Sequence, residues 1–423
     1  MAGTWSKTQR AVNPPERSGG ANKDVGRRSR IRVEYTQFAS APAGAASRAT
    51  SIAHTPFKRR VIHLLEGTDI RINGPRPWDL QVHDDGFYRR VIAHGTLGLG
   101  ESYMQGWWDA QDLDGLIYRL LIASLEKKVP SLDNLFIFLQ ARFFNLQKPA
   151  RAFDIGRSHY DIGNDLYRHM LGKRLVYSCG YWKDVDDLDA AQEAKLELVC
   201  RKLELARGMH VLDIGCGWGE ALQFAAERYG ISGVGITVSE EQAAYARELC
   251  KGLPIEIRLQ DYRLLDEKFD RIFSIGMFEH VGVKNYAGYM RVVRLCLKDD
   301  GLFLLHCIGG NKSVYETRPW LAKYIFANSM LPSIRQIAAS TEGLFVMEDW
   351  HNFSVHYDRT LLAWRRNVEC SWNQLRPQYN ETFHRMWYYY LSLCAASFRA
   401  RKNQLWQIVF SLRGVPGGYV APR

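Results

Sequence analysis

Apolar residues repeat with two different periods along the chain, and the change of period marks its organisation. Val211, Leu212 and Ile214 form a short apolar run with β-branched members, suited to a buried strand. Three spaced glycines follow, Gly215, Gly217 and Gly219, and behind them Ala221, Leu222, Phe224 and Ala225 fall at helical spacing. The same reading predicts strands at 210–214, 233–238, 255–259, 270–275 and 301–307, and helices at 219–229, 240–251 and 285–297. Strands alternating with helices imply an α/β fold with a doubly wound, mostly parallel sheet that binds ligands at the strands' C-terminal ends. After Ile308 the alternation is lost. Residues 315–341 hold helical apolar pieces and many aromatics, Leu344 to Met347 is strand-like, and helices are predicted at 357–368 and 378–401.

Ahead of this core the pattern differs. Residues 1–50 are rich in Gly, Ser, Ala and Arg without periodicity, which predicts a disordered extension. A helix is expected over Arg59–Leu65, a strand entering a turn over Ile70–Gly74, and helices over Leu113–Leu125 and Leu132–Phe144. The division expected is an extension at 1–50, a small α+β domain at 51–147, a polar linker at 148–158 and a larger domain at 159–423.

Charge sharpens this picture. Residues 1–60 contain twelve Lys or Arg against three acids, so most of the net charge of +11 lies in the front seventh of the chain. Clustered cations are drawn to anionic lipid, which makes a membrane surface the expected partner. Nucleic acid is not expected, since aromatic platforms and a recognition motif are lacking. Eight cysteines without a C-x-x-C predict free thiols, a reducing compartment and no zinc site. No apolar run approaches the ~20 residues of a membrane span, so the expected localisation is cytoplasmic and peripherally membrane-associated.

The glycines carry the first candidate chemistry. Without a Cβ they let the backbone turn tightly against a ligand. A dinucleotide site places an acid about 20 residues further on for the ribose, but here the second strand ends in T-V-S-E-E-Q (237–242) and the acid is Asp213, inside the first motif. D-x-G-x-G-x-G resembles the first motif of class I S-adenosylmethionine (SAM) methyltransferases.

Further stretches extend the resemblance. G-L-G-E-S-Y-M-Q-G-W-W (98–108), H-Y-D-I-G-N-D-L-Y (159–167), Y-S-C-G-Y-W (177–182), Q-D-Y-R (260–263), G-M-F-E-H-V-G (276–282), K-Y-I-F (323–326), E-D-W-H-N-F (348–353) and F-R-A-R (398–401) together resemble bacterial cyclopropane-fatty-acyl-phospholipid synthases, from about Ile52 to the C-terminus. One departure is Glu220, where the family usually has Gly. The resemblance implies a seven-stranded, Rossmann-like SAM-methyltransferase sheet, with the small N-terminal domain helping to reach the bilayer. It implies an enzyme that transfers the SAM methyl to a cis double bond in a phospholipid acyl chain and then closes a cyclopropane ring by losing a proton. SAM and bicarbonate are the implied cofactors, and a homodimer and the phospholipid bilayer the implied partners. The alternative is a related SAM enzyme that leaves a methyl or methylene branch.

The resemblance also implies site residues. Tyr177 and Ser178 should touch SAM, with Asp213, Gly215, Gly217 and Gly219 in the first loop. Thr237, Ser239 and Gln242 should approach the ribose, and Asp261 and Tyr262 the adenine, although Asp261 equally suits a helix cap. Glu279, His306, Cys179, Ile308 and Tyr357 match the family's bicarbonate pocket. Cys394 matches a cysteine described as active-site. Methyl transfer to an alkene needs no thiolate and no metal, and L-S-L-C-A-A-S-F reads as buried helix, so a structural role is expected for Cys394.

Overall fold

The computed structural model describes residues 55–125, 164–314, 318–327 and 329–423, all within one compact unit. The expected 1–50 extension, the 132–144 helix, the 148–158 linker and His159–Gly163 lie outside the described residues.

Seven strands form the sheet: β3 (His210–Ile214), β4 (Ser232–Thr237), β5 (Ile255–Leu259), β6 (Phe269–Ile275), β7 (Leu297–Gly310), β8 (Val346–Asn352) and β9 (Asn403–Ser411), in the order β5-β4-β3-β6-β7-β9-β8. β5 through β7 run parallel, and β9 is antiparallel to both β7 and β8. The parallel strands sit within a residue or two of their expected positions, except that β7 is longer at both ends. The strand expected at 344–347 lies a few residues further on, as β8. β9 had no counterpart in the sequence reading. Its Gln-Leu-Trp-Gln-Ile-Val-Phe stretch is buried on both faces, so it lacks the alternation that marks a half-exposed strand.

The N-terminal part of the unit consists of α1 (Thr55–Leu65), β1 (Gln81–Val82) paired with β2 (Trp108–Asp109), α2 (Gly86–Met104) and α3 (Leu113–Ile122). The strand expected at Ile70–Gly74 is a turn instead. A single bridge joins Ile72 to Leu80, and the buried Asp79 carboxylate accepts hydrogen bonds from the backbone N–H groups of Arg71 and Arg76. α2 was unreadable because Gly95, Gly98 and Gly100 interrupt it. Gly95 (φ 55°) kinks the helix, and a Cβ at Gly100 would lie 2.4 Å from the Trp320 ring, so the glycine lets that indole pack against the helix.

α4 (Asn164–Met170) and α5 (Leu188–Lys202) lead into the sheet; α6 (Glu220–Tyr229), α7 (Glu240–Leu249) and α8 (Tyr286–Cys296) cover its faces. Asp187 caps α5 by accepting from Ala190 N–H, and Ser239 caps α7 by accepting from Gln242 N–H. α9 (Pro319–Tyr324) and α10 (Ile334–Thr341) precede β8. The long α11 (Val355–Leu375) and α12 (Glu381–Arg399) pack together, and one hydrophobic cluster runs from α1–α3 through α12 and α11 to Trp218 in the glycine turn. The core of the N-terminal part is therefore continuous with the wall of the site.

Candidate active site

β3 ends at Ile214, and the chain then turns through Gly215 (φ 87°), Gly217 (φ 56°) and Gly219 (φ 93°), all left-handed. Each has a different reason to be glycine. A Cβ at Gly215 would meet Met277 at 2.8 Å, and one at Gly219 would meet Ala246 at 3.0 Å, so these two allow close packing. At Gly217 a Cβ would meet nothing within 4 Å. It borders a cavity of about 200 Å³ at the C-terminal ends of β3, β4 and β6. All the expected cofactor-binding residues line this cavity except Gly219, which stands behind it at the start of α6.

Polar contacts shape the cavity wall. Thr237 Oγ1 donates to Gln242 Oε1 at 2.9 Å, and Ser239 N–H donates to Thr237 Oγ1 at 3.2 Å. Asp261 is both a lining residue and a cap: it accepts from Arg263 N–H at 2.9 Å and from its guanidinium at 2.7 Å. Tyr177 Oη and Tyr390 Oη are 2.8 Å apart. Aromatic rings run without a break from the glycine turn to α11, through Trp218, Tyr167, Tyr177, Trp364 and Tyr357, at centroid spacings of 5.2 to 5.9 Å.

Beneath the glycine turn lies a residue the sequence reading passed over. Lys195 is fully buried, lines the cavity and donates to Ser178 Oγ at 3.0 Å. Burial pushes its ammonium down to about 7, against the opposing pull of Cys179, Asp213 and Glu220. Burial pushes Asp213 well above the usual carboxylate range, and its Oδ1 has no partner among the described residues. Glu220 is likewise pushed up to about 8 by burial. The one departure noted in the loop thus faces the cavity as a largely neutral acid at pH 7. The signal for Lys195 was its spacing. Leu188, Ala191, Lys195, Leu198 and Lys202 follow the 3-4-3-4 pattern of the buried stripe of α5, and a lysine there has to find a partner.

The second expected group is drawn from several elements: Glu279 after β6, His306 and Ile308 on β7, Tyr357 on α11 and Cys179 in the 177–182 stretch. Glu279 follows β6 in a short 3₁₀ turn (Phe278–His280), and its Oε1 accepts from the backbone N–H of Ile308 on β7 at 2.6 Å. Burial raises its carboxyl to about 7, and Oε2 has no partner among the described residues. His306, two residues before Ile308, is buried and held well below its ordinary pKa, so it is neutral. Gln407 of β9 donates to its Nδ1 at 3.3 Å, which leaves the proton on Nε2, an atom without a partner among the described residues. Cys179 is tied to α11: its thiol lies 3.8 Å from Thr360 Oγ1, one turn beyond Tyr357. Burial holds Cys179 as a thiol, which donates to Gly180 O at 3.1 Å. Cys394 sits on α12, one turn beyond Tyr390, and burial pushes its thiol up to about 12.

This strand order, with a D-x-G-x-G-x-G turn after the first parallel strand and a cavity at the strand ends, defines a SAM-dependent methyltransferase. The sequence pattern of the mycolic acid cyclopropane synthetase family matches residues 147–408. The chain is 52% identical over 370 residues to the cyclopropane-fatty-acyl-phospholipid synthase of Escherichia coli (strain K12), covering 87% of this chain and 96% of that protein. It is 31% identical to the tuberculostearic acid methyltransferase UfaA1 of Mycobacterium tuberculosis (strain ATCC 25618 / H37Rv), over 89% of this chain and 94% of that one. The crystal structure of mycolic acid cyclopropane synthase CmaA1, complexed with SAH and CTAB, superposes with a TM-score of 0.57 at 31% identity, covering 61% of this chain and 97% of that chain. The chain belongs to the mycolic acid cyclopropane synthetase family.

Proposed function

We propose that the enzyme adds a methylene group from SAM across the cis double bond of an unsaturated acyl chain in a membrane phospholipid, giving a cyclopropane fatty acid. The observation that carries this reading is a buried acid and a buried imidazole, Glu279 and His306, each with one polar atom unpartnered among the described residues, Glu279 standing between the cavity-lining Met277 and His280. Identity to the Escherichia coli synthase across nearly its whole length supports the same substrate class.

Bound SAM supplies an electrophilic sulfonium methyl. The open space at Gly217 and the unpartnered Asp213 Oδ1 fit its amino-acid end. Lys195 and Ser178 would hold its carboxylate, since among the described residues Ser178 is the one hydrogen-bond partner of an ammonium with three donors. Thr237, Ser239 and Gln242 would face the ribose, and Asp261 and Tyr262 the adenine. The aromatic run from Trp218 to Tyr357 excludes water and faces the positive charge that develops on the alkene carbon. A bicarbonate ion would supply the base that takes the proton as the ring closes. Glu279 Oε2, when protonated, and His306 Nε2–H are donors suited to hold such an anion, and Ile308, Tyr357 and Cys179 would complete its pocket. Cys394 does no chemistry in this reading.

Relatives such as the tuberculostearic acid methyltransferase favour a second reading, in which the same cation leaves a methyl or methylene branch. We also read the protein as a homodimer working peripherally at the cytoplasmic face of the bilayer. The basic residues of α1 and the exposed Ile62 and Ile122 support contact of the 51–147 domain with anionic lipid, as does the basic 1–50 segment. Eight free cysteines support a reducing compartment. The test is incubation of the purified protein with SAM and dioleoyl-phosphatidylglycerol vesicles, followed by mass and proton spectra of the acyl chains. Gain of CH₂ with loss of the alkene supports ring formation. A branched product supports the second reading, and an unchanged lipid overturns both.

A further inference from the structure

A second cavity, of about 360 Å³, is built mainly from the N-terminal part of the unit. α1, the kinked α2 and α3 supply most of its lining, and Trp320, Tyr389 and Leu393 complete it. Most of that lining precedes residue 147, where the match to the family begins. Apart from Thr96 and Tyr389 the lining is apolar, with Arg318 as its one charged member. Arg318 has no carboxylate partner among the described residues. An apolar cavity edged by one guanidinium without a carboxylate partner among the described residues matches an amphiphile with a hydrocarbon tail and an anionic head. α12 links the second cavity to the lining of the first. Tyr389 and Leu393 line the second, while Tyr390, the next residue, contacts Tyr177 in the wall of the first.

A diacyl phospholipid brings two chains to the enzyme, and only the one with the reacting alkene can enter the SAM site. The other has left the bilayer interior as well, and exposing it to water is costly. We propose that the second cavity receives the unreacting acyl chain of the same lipid molecule, with Arg318 facing its phosphate. This rests on the phospholipid reading above and adds a second lipid subsite to it.

Val91 and Leu120 are half-buried lining residues, so Val91→Phe and Leu120→Phe would fill the cavity from two helices. With dioleoyl-phosphatidylglycerol vesicles, each variant should raise KM about tenfold or more, the scale on which apolar pockets reject extra bulk. SAM affinity, melting temperature and turnover of single-chain oleoyl-lysophosphatidylglycerol should stay at the wild-type level. An unchanged KM on the diacyl lipid, or an equal rise on both lipids, would overturn the proposal. A second measurement does not depend on turnover. Phosphatidylglycerol with one oleoyl chain and one diazirine-labelled palmitoyl chain should give photo-adducts within residues 87–121 or at 389–393, and Leu120→Phe should lose them. Adducts elsewhere would overturn the subsite even if ring formation is intact. Adducts here without any product from either lipid would sink the reaction assigned above and leave the subsite standing.

Discussion

Lys195 Nζ lies 3.0 Å from Ser178 Oγ, beneath the glycine turn, with both side chains buried in the wall of the SAM cavity. An ammonium taken out of water needs anionic or hydrogen-bonding partners. One hydroxyl does not supply enough of them, and the acids that share its surroundings, Asp213 and Glu220, are themselves pushed towards neutrality by burial. The arrangement leaves a cation waiting for the carboxylate of a ligand.

Lys195→Met should therefore weaken SAM binding. Hydrogen bonds to charged groups contribute about 1.5–3 kcal/mol, or roughly ten- to a hundredfold in affinity. The pH dependence has a definite sign. The folded protein gives up the Lys195 proton near 7 and the unfolded chain near 10.5, so between these values the unfolded state holds more protons and stability without ligand rises with pH. The variant should lose that rise. SAM, which favours the charged form, should take up a proton on binding above pH 7. Calorimetry in buffers of different ionisation heat measures the uptake, and equal heats with equal affinity in the variant would remove Lys195 from the site.

The glycine turn gives a second contrast. Gly217→Val puts a branched side chain into the open space of the cavity at φ 56°, so SAM binding should be lost while the fold persists. Gly215→Ala should act on the fold instead, because its Cβ would collide with Met277 at φ 87°. That strain and clash should cost about 1–3 kcal/mol of stability. Calorimetric titration and thermal melts separate the two effects, and the reverse pattern would refute these roles.

How much of this was legible depended on whether one segment could announce itself. Val211, Leu212 and Ile214 followed by three glycines mark a strand and a ligand turn within ten residues. β9 could not be read this way. It is buried on both faces, and its place between β7 and β8 is set by partners 100 and 60 residues away in sequence. The kinked α2 was hidden by glycines whose purpose, such as the Trp320 contact at Gly100, lies more than 200 residues downstream. Glu279 and His306 were found through motif resemblance, but the Gln407 bond that fixes the imidazole proton comes from the unread strand.

Cys394 gives a prediction about what is absent from the chemistry. Its thiol is pushed up to about 12, so almost none is thiolate at neutral pH. Cys394→Ser should keep substantial activity, with any loss following a lower melting temperature. A methylated or acylated Cys394 trapped by mass spectrometry would give the thiol a direct role.

Glu279 offers the sharpest test. Its Oε1 is held by Ile308 N–H and its Oε2 has no partner, in a buried setting that raises the carboxyl to about 7. Half-protonated at neutral pH, it is better suited to holding an anion than to acting as a strong base. Glu279→Gln keeps the size and the donor but removes the titration. The folded state binds this proton more tightly than the unfolded chain, so the wild type loses stability as pH rises from about 4.5 to about 7. The variant should lack that slope and be the more stable protein at pH 8. SAM affinity should be nearly unchanged. Turnover should fall by ~10²–10⁴-fold, the usual loss when a positioned general base is disturbed. Depleting bicarbonate should slow the wild type and adding it back should restore the rate, with little response in Glu279→Gln. If wild-type turnover in rigorously bicarbonate-free buffer equals the control, the ion has no part in the reaction, and Glu279 itself becomes the group that takes the proton.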